Sequence, residues 1–565
     1  MKKLVLVGLI LLASVMALVG CKNDSVPEVP KYTVKFETEH GTAPASITVE
    51  SGTKLTETQL PSLADTADYI FEEWQVKDTT TPVQAGFEVT KNVTLVAKWR
   101  DRETTASVTF SPENGTKFYY GEKVTVSLSS TTGGATIKYK IDVGNWQEYS
   151  KEIEVTSDTT ITAYAIKEDL KPSEETRASY TVRKLTSISI TPPTRTVYSV
   201  GEKFDSTGME VTAEYDDGET REVNTWTTDF DKITSEKGLN KTVTVSYTEG
   251  EKSVTDTFAV DIVDPSVPTK LTNYISPNNT DDTWTYVAFG EWPQSEAKNV
   301  TPSLVTPQPE GLFKGNYYSD SNGKYVKQSE KYYKVEPIVW RVLNKDDSTG
   351  QALLLAEKIL IGGIPYYVDT NRRTITGAGT KEDEPDTVYS NNYKYSTIRA
   401  WLNGKAESDD TQEKNKAYEG TGFLQTAFTE KALKCIAETT VDNTKESTFG
   451  RGEDQEDNPY ACDNTTDKIF LLSEQEATKE EYGFAEYLAY GKGNTRIRVT
   501  TDYAKATGAY QDSRAGYGGW WWLRSPDYDT ATNVRIVSLV GIAGSSSPVI
   551  NDNGGVVPAL SISLQ

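Results

Sequence analysis

The feature that most constrains this chain is a two-residue alternation of apolar and polar side chains that keeps returning in short runs. Tyr32-Thr33-Val34-Lys35-Phe36-Glu37 alternates strictly, Val124 to Leu128 and Met209 to Tyr215 repeat the pattern, and Val93 to Trp99 follows it except at Val96. A period of two fits a strand with one buried face and cannot line one face of a helix. Glycine-bearing turns separate the runs, at Gly41, Ser51-Gly52-Thr53, Gly115, Gly133-Gly134 and Asp217-Gly218. Short strands with turns at this spacing make small sheets and sandwiches rather than one large core. A length of 565 residues then corresponds to about four domains.

Charge and composition narrow the function classes. The formal net charge is −23, and the chain has one histidine and three cysteines. So acidic a chain repels phosphate backbones, so nucleic acid is not an expected partner. A lone histidine, His40, excludes any metal site built on two histidines, and three scattered cysteines exclude a four-thiolate zinc site or a disulfide scaffold. No metal and no cofactor is expected. Tyr, Thr, Gly and Ser are abundant and Met is scarce, which suits β-structure on a cell exterior.

The N-terminus reads as an address. Lys2 and Lys3 precede an uncharged apolar run from Leu4 to Ala17, too short to span a bilayer comfortably and right for a signal-peptide core. Leu18-Val19-Gly20-Cys21 resembles a bacterial lipobox, which implies lipidation of Cys21. Residues 1–21 are therefore expected to be a lipoprotein leader and 22–31, with Pro27 and Pro30, an extended tether. Loss of the leader takes the charge from −23 to −25. Anionic lipid repels such a body, so the lipid must hold it at the membrane. The expected location is the cell envelope, lipid-anchored and exterior-facing.

Three modules follow. Residues 32–100 carry Tyr69, Phe71, Trp74, Leu95, Ala97 and Trp99 in a pattern that resembles the internalin B-repeat and implies a β-grasp-like fold. Asp68 and Glu73 stand where that pattern has glycine, so the local geometry is expected to differ there. Residues 104–182, with "GATIKY" and "TTITAYAIK", resemble the Ig-like C-terminal domain of chitobiase, an accessory with no catalytic residues to transfer. Residues 184–264, with "YSVGEKF" and "GMEVTAEYDDG", resemble the bacterial Ig-like domain of the third group. Short junctions between modules predict a semi-rigid stalk that lifts the remainder about 10 nm from the membrane.

After Asp264-Pro265-Ser266-Val267-Pro268, read as the clearest linker, the texture changes. Residues 266–565 predict an α+β domain, with helices over Thr397 to Asn403, Thr429 to Ala437 and Thr501 to Thr507, and a Ser473–Glu476 capping box. In order, "AFGEWPQS", "PIVWRVL", "TIRAWLNG", "KIFLLS", "WWLRSP" and "GGVVPALSI" resemble an extracellular family of unknown function. Val557 replaces the arginine usual in its closing motif. The resemblance implies a C-type-lectin-like fold of the kind shared with formylglycine-generating enzymes.

Candidate binding residues are Tyr517, Trp520, Trp521, Trp522 and Arg524. Glycines around them give backbone access and the rings offer stacking platforms for a sugar or a peptide. In an alternating strand at least one of the three tryptophans belongs to the core, and Arg524 suits pairing with a buried carboxylate better than anion binding. Asn551-Asp552-Asn553 reads as a turn rather than a calcium loop. Cys435 and Cys462 could form a disulfide in an oxidising envelope; catalytic cysteines find no local motif here. The leading expectation is a non-enzymatic binding or adhesion protein for a glycan or a protein. The alternatives are a carbohydrate-active or other extracellular enzyme, which needs a cleft holding two carboxylates, and a structural spacer.

Overall fold

The protein is described from a computed structural model, which covers residues 27–278, 284–346, 348, 350–449, 458–485, 489, 491, 494–514 and 516–563. The leader, Cys21 and residues 22–26 of the tether lie outside the described residues. The chain is mainly β and divides into two compact units, Met1–Arg183 and Lys184–Gln565. Among the described residues no helix is long and apolar enough to cross a membrane.

In the first unit, residues 32–100 form a five-stranded sheet. Its order is Ile47–Glu50, Lys31–Glu37, Val93–Asp101, Tyr69–Val76 and Pro82–Val83, with Lys31–Glu37 and Val93–Asp101 parallel. The alternation works as read: Val34, Phe36, Trp74 and Leu95 point into one core. One of the two positions that depart from the repeat pattern leaves a mark: at Glu73 the pairing slips, between Phe71 and Glu73. His40 is a half-buried turn residue whose ring stacks on Tyr69 with centroids 3.7 Å apart. The second module is a sandwich of a three-stranded and a five-stranded sheet around Val126, Ile161, Ala163 and Tyr180. Burial pushes the Tyr180 phenol up to about 12, and its hydroxyl donates to the Pro112 carbonyl at 2.8 Å.

The second unit begins with the third module, whose sheets have three and four strands. The Asp217-Gly218 turn joins Glu210–Tyr215 to the antiparallel Thr220–Glu222. Beyond it a nine-stranded sheet is organised on Lys331–Asp346, which pairs with Tyr286–Ala297 on one side and Gln351–Ala356 on the other. The last strand, Ala559–Ser563, continues the sheet beyond Gln351–Ala356. Helix Thr397–Asn403 covers it with Ile398, Trp401 and Leu402 buried. Its ends follow from sequence: Ser396 Oγ accepts from Arg399 N at 3.2 Å, and Gly404 takes the left-handed φ of 60° that closes the helix. The other two expected helices are single turns, Glu430–Leu433 and Asp502–Ala506, capped by Thr429 and Thr501. The Ser473–Glu476 bonds form reciprocally, but only a 3-10 turn follows, Glu476–Thr478, with Gln475 at its N-cap.

The segment read as a linker does not behave as one. Val197 and Val263 of the third module share a core with Leu271, Tyr286 and Ala288 of the terminal domain. Asp261, fully buried, accepts from the backbone N–H of Asn240, Thr272 and Asn273 at 2.7–3.1 Å and from the Thr272 hydroxyl at 2.7 Å. Such a carboxylate fixes the chain on both sides of residue 264, because leaving its oxygens unpaired in the interior is strongly unfavourable. The third module and the terminal domain are therefore built together.

Candidate functional site

The aromatic run falls on strand Trp521–Pro526, every residue of which is buried. Trp521 and Trp522 have 0% exposure. Trp521 Nε1 donates to the Arg496 carbonyl at 3.2 Å. Arg524 is also interior: its guanidinium donates to the carbonyls of Leu471 at 2.7 Å and Asp442 at 2.9 Å and pairs with Glu476. These three side chains thus offer no face to a ligand: the candidate binding role of Trp521 and Trp522 is corrected, since both belong to the core, and Arg524 has the carboxylate pairing favoured for it over anion binding. The physical reason is that a strand covered on both faces reads as a continuous apolar run, without an outward set. Trp520 is half-buried, packing edge-on to Trp522 at 4.9 Å and over Gly554. Tyr517 lies half-buried under the Arg514 guanidinium, 4.4 Å from its ring. The run does not make one aromatic platform.

The remaining candidates are equally specific in their placement. Asn551 to Asn553 follow a turn at Val549-Ile550, and their carbonyls serve the backbone: Asp552 O accepts from Gly363 N and Asn553 O from Tyr510 N. Among the described residues no group of three His, Cys, Asp or Glu side chains could hold a metal. Cys435 and Cys462 are both free thiols, so the disulfide is not formed. Burial pushes Cys462 up to about 11, the opposite of what a nucleophilic thiolate needs.

An open cleft of about 540 Å³ lies where the third module meets the terminal domain. Ser199, Val200 and Lys237 come from the module; Asp264, Glu291 and Lys324 complete the walls. Its shape depends on Gly290, whose φ is 74° and where a Cβ would approach Phe428 Cε1 to 2.6 Å. Gly290 N–H donates to the Pro265 carbonyl at 2.8 Å, drawing the strand against residues 264–266. Both carboxylates have partners. Asp264 is held down to about 2 by the Ser266 hydroxyl and by Lys431, 3.0 Å away. Glu291 accepts from Ser199 Oγ at 3.2 Å and faces Lys324 Nζ at 3.1 Å. Neither sits in the apolar pocket that makes a carboxyl a general acid. The arrangement is suited to holding polar groups through exchangeable charge pairs and hydroxyls. Sequence reasoning missed this cleft because it treated residues 264–268 as a spacer, and nothing local marks Asp264 and Glu291 as neighbours.

A second cleft, about 320 Å³, is lined by the Gly377–Thr380 turn, Asn392, Lys394, Cys462 and Asp463. Lys394 and Asp463 face each other across it at 3.0 Å.

Comparison with known families orders the chain in the same way as its motifs. Residues 32–98 match the Listeria-Bacteroides repeat domain, and residues 112–177 the chitobiase/beta-hexosaminidase C-terminal domain. Residues 191–262 match the bacterial Ig-like domain (group 3), and residues 349–564 a domain of unknown function (DUF6273). The last match starts after Tyr286–Ala297 and Lys331–Asp346, although both strands belong to the same sheet as its own. No curated protein matches the chain. Among solved structures, Sidekick-1 immunoglobulin domains 1-5 is 10% identical over 58% of this chain and 78% of that chain, with a TM-score of 0.14, too low to carry weight. In order, then, the chain carries segments that match a Listeria-Bacteroides repeat, a chitobiase-type C-terminal domain, a bacterial Ig-like domain and a domain of unknown function.

Proposed function

We propose that this is a lipid-anchored, outward-facing protein of the cell envelope, attached through Cys21, whose β-modules present a lectin-like terminal domain for adhesion to, or capture of, a glycan or a protein. The observation that carries the reading is the junction cleft. Its two walls belong to domains that share a core, so it exists before any ligand arrives. A preformed site avoids the ordering penalty that otherwise weakens binding. Its volume lies in the range of small-ligand sites, and its position at a domain junction is a common one for them. The series of accessory and Ig-like modules without an identified catalytic domain fits the same role.

The test is binding of the chain from Lys22 onward to glycan and matrix-protein arrays. Retention of at least one ligand class is the expected result; no retention across both arrays overturns the reading. One observation favours a second reading: Asp264 and Glu291 share the cleft, as a hydrolase would require. Release of sugar from a panel of chromogenic glycosides, abolished by Glu291→Gln, would replace binding with catalysis.

A further inference from the structure

The outer face of the second module carries an aromatic ring and two cations side by side. Its five-stranded sheet runs Gln147–Glu148, Thr136–Ile141, Thr159–Ile166, Thr176–Val182 and Lys117–Phe118. Ile137, Tyr139 and Ile141 turn inward with Ile161, Ala163, Ala178 and Tyr180, so Lys138, Lys140, Thr162, Tyr164 and Arg177 lie on the opposite face. The register sets Lys140 opposite Thr162 and Thr162 opposite Arg177. Lys140 and Arg177 thus flank Thr162, on strands about 10 Å apart. Lys138, in the neighbouring row, pairs with Glu148 at 3.0 Å. Among the described residues neither Lys140 nor Arg177 forms an ion pair, and Glu175, two residues before Arg177, does not pair with it.

Trp146 ends the row beyond Lys140. It is 37% exposed, yet it is held in place. Lys140 Nζ lies 4.6 Å from its ring centroid, and Tyr164 meets it edge-on with centroids 4.7 Å apart. The turn that carries it is pinned to the next strand: Asp142 N–H donates to Thr160 O, and Asp142 Oδ1 accepts from Thr160 N, both at 2.8 Å. On the return strand Tyr149 packs edge-on to Tyr139 against the core. A large ring fixed at the surface, beside cations that lack partners, has no role in that core and is organised before any ligand arrives.

We propose that this face binds an acidic polysaccharide, with a sugar ring stacked on Trp146 and its acidic group between Lys140 and Arg177. Charge complementarity selects the occupant, because two unpaired cations attract an anion on a chain whose net charge is −23. An indole stacks on nucleobases as well. A nucleic acid, however, bears a phosphate on every unit, and so dense a polyanion meets the full repulsion of the chain. A polysaccharide with acids on only some of its rings meets less. The face belongs to the first compact unit and shares no residue with the junction cleft.

The test is binding of the chain from Lys22 onward to immobilised polygalacturonate, dextran sulfate, neutral dextran and single-stranded oligothymidylate; the first two separate a carboxylate from a sulfate as the acidic group. Retention on one or both acidic polymers, weakening as salt rises, with none on neutral dextran, is the expected result. Trp146→Ala should weaken that Kd by about tenfold or more, as truncation of an aromatic anchor does. The double variant Lys140→Gln with Arg177→Gln, which leaves the aromatic rings in place, should weaken it too and flatten its salt dependence. Val200→Trp, in the junction cleft, should leave it unaltered. No retention on either acidic polymer, equal retention on neutral dextran, tighter retention on oligothymidylate, or an unaltered Kd in the double variant overturns the proposal. A loss in Val200→Trp alone would assign the polymer to the junction cleft and overturn it equally.

Discussion

Arg195 of the third module reaches Glu336 of the terminal sheet, Nη1 to Oε1 at 3.2 Å, while the same nitrogen lies 2.6 Å from Glu202 Oε1. All three side chains are largely shielded from water, and the Arg195 guanidinium stacks 4.4 Å from the Tyr198 ring. One cation between two carboxylates, one from each domain, is a directional joint that a flexible linker would not need. It gives the two domains a single relative geometry, and the junction cleft inherits it.

Removing one member of this triad should be costly in a way that a surface pair is not. Arg195→Met leaves Glu202 and Glu336 facing each other without their cation. A loss of about 3–5 kcal/mol is expected for uncompensated buried charge, read by denaturant unfolding of residues 184–563. Lys35→Met, which breaks an exposed pair with Glu37, should change stability by well under 1 kcal/mol.

Gly290 should not tolerate a side chain. Its left-handed φ and the 2.6 Å approach to Phe428 act together. Gly290→Ala is expected to destabilise by about 1–3 kcal/mol and to weaken ligand retention in the cleft, measured by thermal unfolding and by binding on the array. An unchanged midpoint would mean that the turn relaxes freely.

The three consecutive tryptophans should separate by stability. Trp521→Ala and Trp522→Ala each remove a fully buried ring and should cost about 3–5 kcal/mol. Trp520→Ala, at a half-buried position, should cost distinctly less. Chemical denaturation of the three variants in parallel reads the order directly.

Acid should loosen the joint. Although burial works against it, the Lys334 ammonium and the Thr207 hydroxyl hold Asp205 down to about 2, from an ordinary 3.8. A carboxyl whose folded pKa lies below its unfolded value stabilises above the unfolded value and loses that stability as pH falls through the folded one. The contribution of Asp205, on the order of 2 kcal/mol, should therefore be complete above about pH 5 and fade towards pH 2. Asp205→Asn should flatten the pH dependence of unfolding in that window.

Local rules made much of this fold readable. Ser396 and Gly404 bracket helix Thr397–Asn403, and the alternation from Tyr32 to Glu37 places Val34 and Phe36 inward. What stayed hidden depends on contacts distant in sequence. Sequence places at least one of Trp520, Trp521 and Trp522 in the core without saying which; the fold buries Trp521 and Trp522. Asp261 looks like an ordinary acidic strand residue until Thr272 and Asn273 fold back onto it. The same folding-back turns a proline-bearing linker into one wall of the cleft, with Asp264 and Glu291 brought together only by that packing.

The most direct measurement is the equilibrium affinity of the chain from Lys22 onward for its array ligand, compared with Val200→Trp. Val200 lines the cleft with 45% of its surface exposed, so a larger ring there fills the site without emptying any core. A Kd weakened by about tenfold or more, equivalent to about 1.4 kcal/mol, with an unchanged unfolding midpoint, is the expected result. An unaltered Kd would contradict the assignment of the junction cleft as the binding site.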